Sequence, residues 1–253
     1  MRHYVLTRAA YGPRWSPEAN RRRLDITRAV TARLMASQTS RNWAWVVLLD
    51  ERDPLLVERR AVFAEAAPRF IGLPWVPPSD PRAAPWDRRA SQTTTVQRIA
   101  AEAYRAPWRE AIGPRDTRIL LTRLDDDDGL APDAIARYQA ASLRLVKRTI
   151  LMLPEGVRVW RGRYAEVRHE RNAMHTLVTP AGDDACVYDY GHAKPARSGA
   201  RIVMVDDAYG WLWVRHQDTI SGWRRAERPI SDAVREAFPI DWRALARAWK
   251  ETA

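Results

Sequence analysis

Cysteine is nearly absent from these 253 residues: Cys186 stands alone. That excludes an internal disulfide and a zinc site built from several thiolates, and it fits a reducing, cytoplasmic compartment. Lysine is also scarce. Only Lys147, Lys194 and Lys250 contribute to the 42 basic residues; the rest are arginine. The arginines are spread along the chain, as a GC-rich genome would produce, rather than gathered into one tract. A net charge of +11 therefore does not by itself indicate nucleic acid, and no nucleic-acid partner is expected. A basic surface still attracts other polyanions, including phosphorylated ligands and an anionic membrane surface at its periphery. Glycine is sparse and badly spaced for phosphate loops. No two glycines are separated by one residue, and no glycine precedes a lysine and a hydroxyl residue. The dinucleotide and P-loop fingerprints are thus missing, as is a G-x-S-x-G nucleophile elbow. Long apolar runs are missing too. "WAWVVLL" at 43–49 is among the longest, far short of the roughly 18 to 20 residues that span a bilayer. "MRHYVLTRAAYG" lacks an apolar h-region, so neither a transmembrane segment nor a signal peptide is expected.

What is present is ordinary core material, at 46% hydrophobic residues. "RHYVLTR" (2–8) reads as a first strand. Residues 16–38 read as a helix, with Ser16 as cap, Pro17 at the first helical position and Glu18 in the first turn. Leu24, Thr27, Val30 and Leu34 share one face of it. "NWAWVVLLD" (42–50) is a second strand, and Asp53–Pro54 open a second helix to about Ala67. This alternation predicts an α/β fold with a largely parallel sheet. Residues 73–86 read as a proline-rich loop, 91–112 as a helix capped by Ser91, and "ILLTRL" (119–124) as a further strand. A helix restarts near Pro132. After about residue 145 the pattern turns to short strands. Two are joined at Pro154–Gly156, with others at 175–179, 185–190, 200–206 and 211–216, before a C-terminal amphipathic helix. We read one domain over 1–253, with an α/β half at 1–145 and a more β-rich half at 146–253.

Four aspartates, Asp125 to Asp128, follow "ILLTRL" directly. In an open α/β sheet, ligands bind outside the carboxyl ends of strands, where these residues would emerge if the strand is parallel. In extended backbone Asp125 and Asp127 would point one way and Asp126 and Asp128 the other. Adjacent carboxylates raise one another's pKa. A hard divalent cation, Mg²⁺ or Mn²⁺, relieves that repulsion and commonly adds substrate phosphate oxygens to one or two carboxylates. The plainer alternative is a solvated acidic turn, the usual fate of a charge run. Arg123 either neutralises the acids or meets a diphosphate. His192, among turn-formers with Lys194 and Arg197, binds diphosphate or is an ordinary surface histidine; His169 and His175 read as structural. Cys186 reads as a strand core residue, and Trp43 and Trp45 as core.

"SQTSRNWAWVVLLDE" (37–51) and "TRLDDDDGLAPDAI" (122–135) resemble segments of nucleotide-sugar glycosyltransferases with the GT-A fold, the second resembling their Asp-x-Asp metal motif. With "HYVLTRA" (3–9) and "WLWVRHQDTIS" (211–221), the chain resembles a bacterial rhamnosyltransferase family over most of its length. It departs at Asp126 and Thr219, where that family's pattern has Asn. The resemblance implies a GT-A-like, Rossmann-like central sheet flanked by helices, with a β-rich acceptor-side half. It implies transfer of a sugar, rhamnose by the family's name, from a nucleotide-diphosphate donor to a glycan or lipid-linked glycan. It further implies a divalent cation, Mn or Mg, at Asp125, Asp127 and His216. Thr7, Arg8 and Asp50, at the ends of the first two strands, would meet the nucleotide, with Arg123, Asp125 and His192 as further donor contacts. Asp128 would act at the sugar, and Asp189 or Glu170 would be the general base of an inverting reaction. Two rival readings remain at this point: a metal-dependent nuclease or phosphohydrolase, and a non-catalytic basic protein that binds polyanions.

Overall fold

The computed structural model describes residues 1–9, 16–75, 101–103, 118–145, 147–180, 182–189, 195–216 and 228–250. The first strands are apolar through their middles because both of their faces are covered. β1 (Arg2–Arg8) pairs in parallel with β2 (Ala44–Asp50), and β2 is buried at every position. β2 pairs in parallel with β3 (Phe70–Trp75), and β1 pairs in parallel on its other side with β4 (Arg118–Arg123). Continuous apolar runs of this kind are the signature of a parallel sheet covered on both faces. Among the described residues the sheet has seven strands in the order β10-β6-β9-β4-β1-β2-β3, with β6 (Thr149–Met152), β9 (Thr176–Pro180) and β10 (Arg201–Met204). Only β9 runs against the rest. The expected α/β class with a parallel-dominated sheet is what the chain forms.

α1 (Pro17–Ile26) begins as its sequence dictates: the Ser16 hydroxyl accepts from Ala19 N at 3.2 Å, and Pro17 fills the first turn. It continues through a π-helical stretch, Thr27–Ala32, into α2 (Arg33–Ala36). The Thr27 hydroxyl donates to Arg23 O at 2.8 Å at the point where the helix widens. Leu24, Val30 and Leu34 bury against the sheet, and α3 (Leu56–Ala66) packs alongside through Val62 and Phe63. Trp43 and Trp45 are core, as expected.

A second sheet, ordered β12-β8-β7-β11-β5 among the described residues, stacks on the same hydrophobic core. Its strands are β5 (Gly129–Leu130), β7 (Glu155–Trp160), β8 (Arg163–Arg168), β11 (Trp211–Val214) and β12 (Arg228–Pro229). β5 leaves the acidic run directly and pairs antiparallel with β11. Two close approaches lock this sheet. A Cβ on Gly156 would sit 2.1 Å from the Trp211 indole, and one on Gly129 would sit 2.2 Å from Leu34 Cδ1. α4 (Ala134–Ser142), α5 (Asp232–Ala237) and α6 (Trp242–Lys250) are further helices among the described residues. No helix among the described residues is long and apolar enough to cross a membrane.

Three expectations are corrected. Leu73–Trp75 belong to β3 rather than to a loop. Pro74 is tolerated because β3 is the last strand on its side among the described residues, where a missing ladder donor costs little. Glu155 and Gly156 lie inside β7; the hairpin turn falls at Arg161 and Gly162, whose φ of 44° and 76° are both positive, as a two-residue hairpin turn favours. Residues 185–190 hold no strand over the described part. The Asp189 carboxylate accepts from Cys186 N at 2.7 Å and Asp189 N donates to Cys186 O at 3.0 Å, so local bonds claim the backbone groups a ladder would need. Most of the helix expected at 91–112 lies outside the described residues.

Candidate functional site at the end of the fourth strand

The chain lays β2 and β3 on one side of β1 and β4 on the other, so the strand order reverses at β1. A parallel sheet with such a reversal opens a crevice beyond the carboxyl ends of the two strands at the switch. Leu6 pairs with Arg123, and Leu124 N donates to Leu6 O at 3.1 Å, so Arg8 and the acidic run leave the sheet side by side. The run itself is a turn, closed by Asp128 N donating to Asp125 O at 3.2 Å. The alternation expected of extended backbone therefore does not hold, and the four carboxylates leave in different directions.

The run is also not a solvated turn. Asp126, Asp127 and Asp128 are buried, and Asp125 is partly exposed. Arg23, from α1, bridges two of them. Its Nε donates to Asp126 Oδ1 at 3.0 Å and its Nη2 to the same oxygen, while Nη1 lies 3.0 Å from Asp127 Oδ2. The Thr31 hydroxyl, in the π-helical stretch, donates to Asp126 O at 2.9 Å. Asp127 Oδ2 also lies 2.9 Å from His216 Nε2, two residues past β11. Asp128 Oδ1 accepts from Val214 N at 3.1 Å, and Asp125 faces Arg123 at 3.4 Å.

The two central acids are driven in opposite directions. Burial would raise Asp127, but Arg23 and then His216 outweigh it and hold its carboxyl below the ordinary value. Burial raises Asp128 as well, the charges of Asp127 and Asp125 add to that, and its carboxyl stands well above the ordinary range. Burial opposes the Arg23 charge, yet Asp126 and Asp127 more than offset it, so its pKa rises. The repulsion that pointed to a cation in the sequence is thus relieved in large part by arginine.

Around this turn the expected contacts divide. Arg8 and Arg123 both lie over the Tyr188 ring, at 5.3 and 4.6 Å from its centroid, and Tyr188 donates its hydroxyl to Leu6 O at 3.2 Å. Asp189 is exposed on the turn that carries Tyr188. Asp50 ends β2 at the same edge and accepts from Arg52 Nε and Nη2, each at 3.0 Å. Thr7 is in the core, its hydroxyl accepting from Trp45 Nε1 at 2.9 Å. Glu170 is not brought to the cluster. It is exposed and lies 3.6 Å from Arg168, which pairs with the start of β7, whereas His216 lies beyond the end of β11, the parallel neighbour of β7. His192 lies outside the described residues. His175 is buried and pushed down to about 4, and His169 sits edge-on to Trp213, so both are structural.

Sequence reasoning missed Arg23 and the layer behind it. Arg59, buried on α3, donates to Asp53 Oδ2 at 2.6 Å and to Asn20 Oδ1 at 2.8 Å, and its Nη1 lies 3.9 Å from Asp126 Oδ2. Asn20 donates back to Asp53 Oδ1 at 2.8 Å. A signal existed: Asn20, Thr27 and Thr31 recur on the buried face of the helix that carries Leu24, and buried polar residues need polar partners.

Among the described residues no group of three or more His, Cys, Asp or Glu side chains is arranged to hold a metal ion. The Asp127–His216 pair does suit a divalent cation, offering one oxygen and one nitrogen and leaving further positions to phosphate oxygens and water. Arg23 Nη1 and His216 both approach Oδ2, so a cation would take the other carboxylate oxygen of Asp127, Oδ1.

A family model described as "Putative rhamnosyl transferase" matches residues 87–228, more than half of the chain, and the match includes the acidic run and His216. No curated protein matches the sequence. Among solved structures, Staphylococcus aureus TarS 1–349 in complex with UDP is 10% identical at a TM-score of 0.46, over 85% of this chain and 61% of that one. This chain therefore spans less than two thirds of that protein fragment. The inositol-1-phosphate CTP transferase of T. maritima is 11% identical at a TM-score of 0.38, over 84% of this chain and 89% of that one. Mouse xyloside xylosyltransferase 1 is 12% identical at 0.34, over 61% and 53%. On the extent of the family match, the chain belongs to the rhamnosyl transferase family, a family of glycosyltransferases.

Proposed function

We propose that this protein moves a sugar from a nucleotide-diphosphate donor to a glycan or lipid-linked glycan, with a divalent cation, Mn²⁺ or Mg²⁺, held by Asp127 and His216. The observation that carries the reading is the meeting of these two side chains, 89 residues apart in sequence, beyond the end of β4, the strand beside β1 where the strand order reverses. The cation, when bound, neutralises charge on the departing diphosphate. The chain's own residues do the rest. Arg8 and Arg123, held against Tyr188, put positive charge at the ends of β1 and β4, where preorganised charge helps most as a leaving group develops. Asp50, oriented by Arg52, stands at the end of β2 for the ribose or base. Asp128, held toward the second sheet by Val214 N, acts at the sugar. In an inverting reaction Asp189, exposed beside Tyr188, takes the proton of the acceptor hydroxyl. Rhamnose as the sugar rests on the family description alone. The net charge of +11 supports peripheral contact with an anionic membrane, near which a lipid-linked acceptor would lie.

The test is release of nucleoside diphosphate from a panel of nucleotide sugars, dTDP-rhamnose included, with Mn²⁺ or with EDTA. Release by wild type in Mn²⁺, lost in EDTA and in His216→Ala, is the expected result. A folded wild type that releases nothing from any donor, with or without a glycan acceptor, contradicts it.

A further inference from the structure

Arg23 belongs to none of the roles assigned so far, yet it bridges two carboxylates of the acidic run. Its guanidinium spans two successive carboxylates. Nε and Nη2 converge on Asp126 Oδ1, and Nη1 reaches Asp127 Oδ2, the oxygen that also meets His216. A planar fork can hold two acceptors at a fixed separation, which a point charge on a flexible stem cannot do.

The backbone on either side of the fork is itself held. The Thr27 hydroxyl ties to Arg23 O, and eight residues on from Arg23 the Thr31 hydroxyl ties to Asp126 O, so one helix grips the turn by side chain and by backbone. Behind Asp126, Arg59 is fixed by Asp53 and Asn20 and approaches the second oxygen of that carboxylate. Every member of this layer is buried. Asp127, by contrast, has only Arg23 and His216 as described side-chain partners. Without Arg23, nothing else described fixes the carboxylate toward His216.

We infer that Arg23 is a positioning residue: it sets the Asp127 carboxylate at the orientation in which its Oδ2 meets His216 Nε2. The inference rests on the proposed reading of that pair as the cation and diphosphate site. Outer partners of this kind typically change metal affinity on the order of 10- to 100-fold when lost.

Removing Arg23 alone would confuse two effects, because it would leave Asp126 buried without its main counter-charge. The double variant Arg23→Gln/Asp126→Asn removes one positive and one negative charge together. The net charge around Asp127 is unchanged, and what is lost is the fork. Arg23→Lys is the companion variant; it keeps the charge but offers a single point of contact. Calorimetric titration of UDP and dTDP, with Mn²⁺ and with EDTA, reads both, beside thermal melts as the measure of fold. The gain in affinity that Mn²⁺ gives the wild type is expected to fall about tenfold or more in the double variant and severalfold in Arg23→Lys. Binding in EDTA is expected to stay at the wild-type level, which a general loosening of the protein would not allow. A folded double variant or a folded Lys variant with the full wild-type Mn²⁺ gain overturns the inference and leaves the proposed function standing. Absence of any Mn²⁺ gain in wild type overturns both.

Discussion

Gly156→Ala tests how tightly the second sheet holds the site. The added Cβ would lie 2.1 Å from the Trp211 indole, with two more ring atoms at 2.2 and 2.4 Å. Ordinary carbon contacts lie at about 3.5 Å or beyond, so the ring would have to retreat by roughly 1.4 Å. It has no room to do so. Trp211 is fully buried, its Nε1 donates to Leu153 O at 2.9 Å, and its ring packs on Trp213 at 5.1 Å. Overpacking of this kind costs about 1–3 kcal/mol, and a broken buried indole hydrogen bond adds about 1–3 kcal/mol. The sum of about 2–6 kcal/mol is a large part of the roughly 5–15 kcal/mol that holds a domain together. For a chain of this length the melting temperature should fall by roughly 4–24 °C. Trp211 opens β11, whose far end carries Val214 and leads to His216, so the displacement also reaches the acidic turn. Gly182→Ala is the control: it has nothing within 4 Å and should change stability by no more than about 0.5 kcal/mol. Thermal and denaturant melts read both. A Gly156→Ala protein within about 1 kcal/mol of wild type would refute the packing described for Trp211.

Asp128→Asn should stabilise the protein near neutral pH. The Asp128 carboxyl is raised in the fold, so ionising it there costs stability that is not lost below the ordinary carboxylate range. The Asn oxygen can still accept from Val214 N. Melts across pH should show a higher melting temperature for the variant at about pH 7 and convergence with wild type at about pH 4; equal melting temperatures at neutral pH would refute the raised carboxyl. Asp127 has the opposite sign. Its folded value is depressed, so its contribution is present above the ordinary range and is lost as pH falls through the lowered value, a loss that Asp127→Asn should remove from the acid limb of the melt profile. Thr7→Val should lower stability by about 1–3 kcal/mol, because it removes the acceptor of a buried indole N–H, and should leave nucleotide affinity unchanged. Weakened UDP binding at an unchanged melting temperature would instead make Thr7 a donor contact.

The alternation of strands and helices in the first 70 residues was legible because each element carries a strong local signal: the Ser16 cap, the unbroken apolar run at 44–49, and the apolar strand before the aspartates. What was not legible depends on distant partners. β3 hides behind Pro74, which reads as a breaker unless the strand is known to lie at an edge. Residues 185–189 read as a strand from their apolar content, but the Asp189 carboxylate folds the backbone into a turn. The position of the acidic run beyond β4 followed from the apolar run before it. Its counter-charge did not, since three successive arginines, Arg21 to Arg23, look alike in sequence, and nothing in it marks the third as the one that meets Asp126 and Asp127. His216 entered through family resemblance; its meeting with Asp127 required the antiparallel pairing of β5 with β11.

The most direct measurement is calorimetric binding of UDP and dTDP to wild type and Asp127→Ala, each with Mn²⁺ and with EDTA. The account predicts binding that Mn²⁺ strengthens in wild type and that Asp127→Ala reduces to the EDTA level. A folded wild type that binds no nucleoside diphosphate more tightly with Mn²⁺ than with EDTA would contradict it, and would leave the acidic turn as a structural knot tied by Arg23.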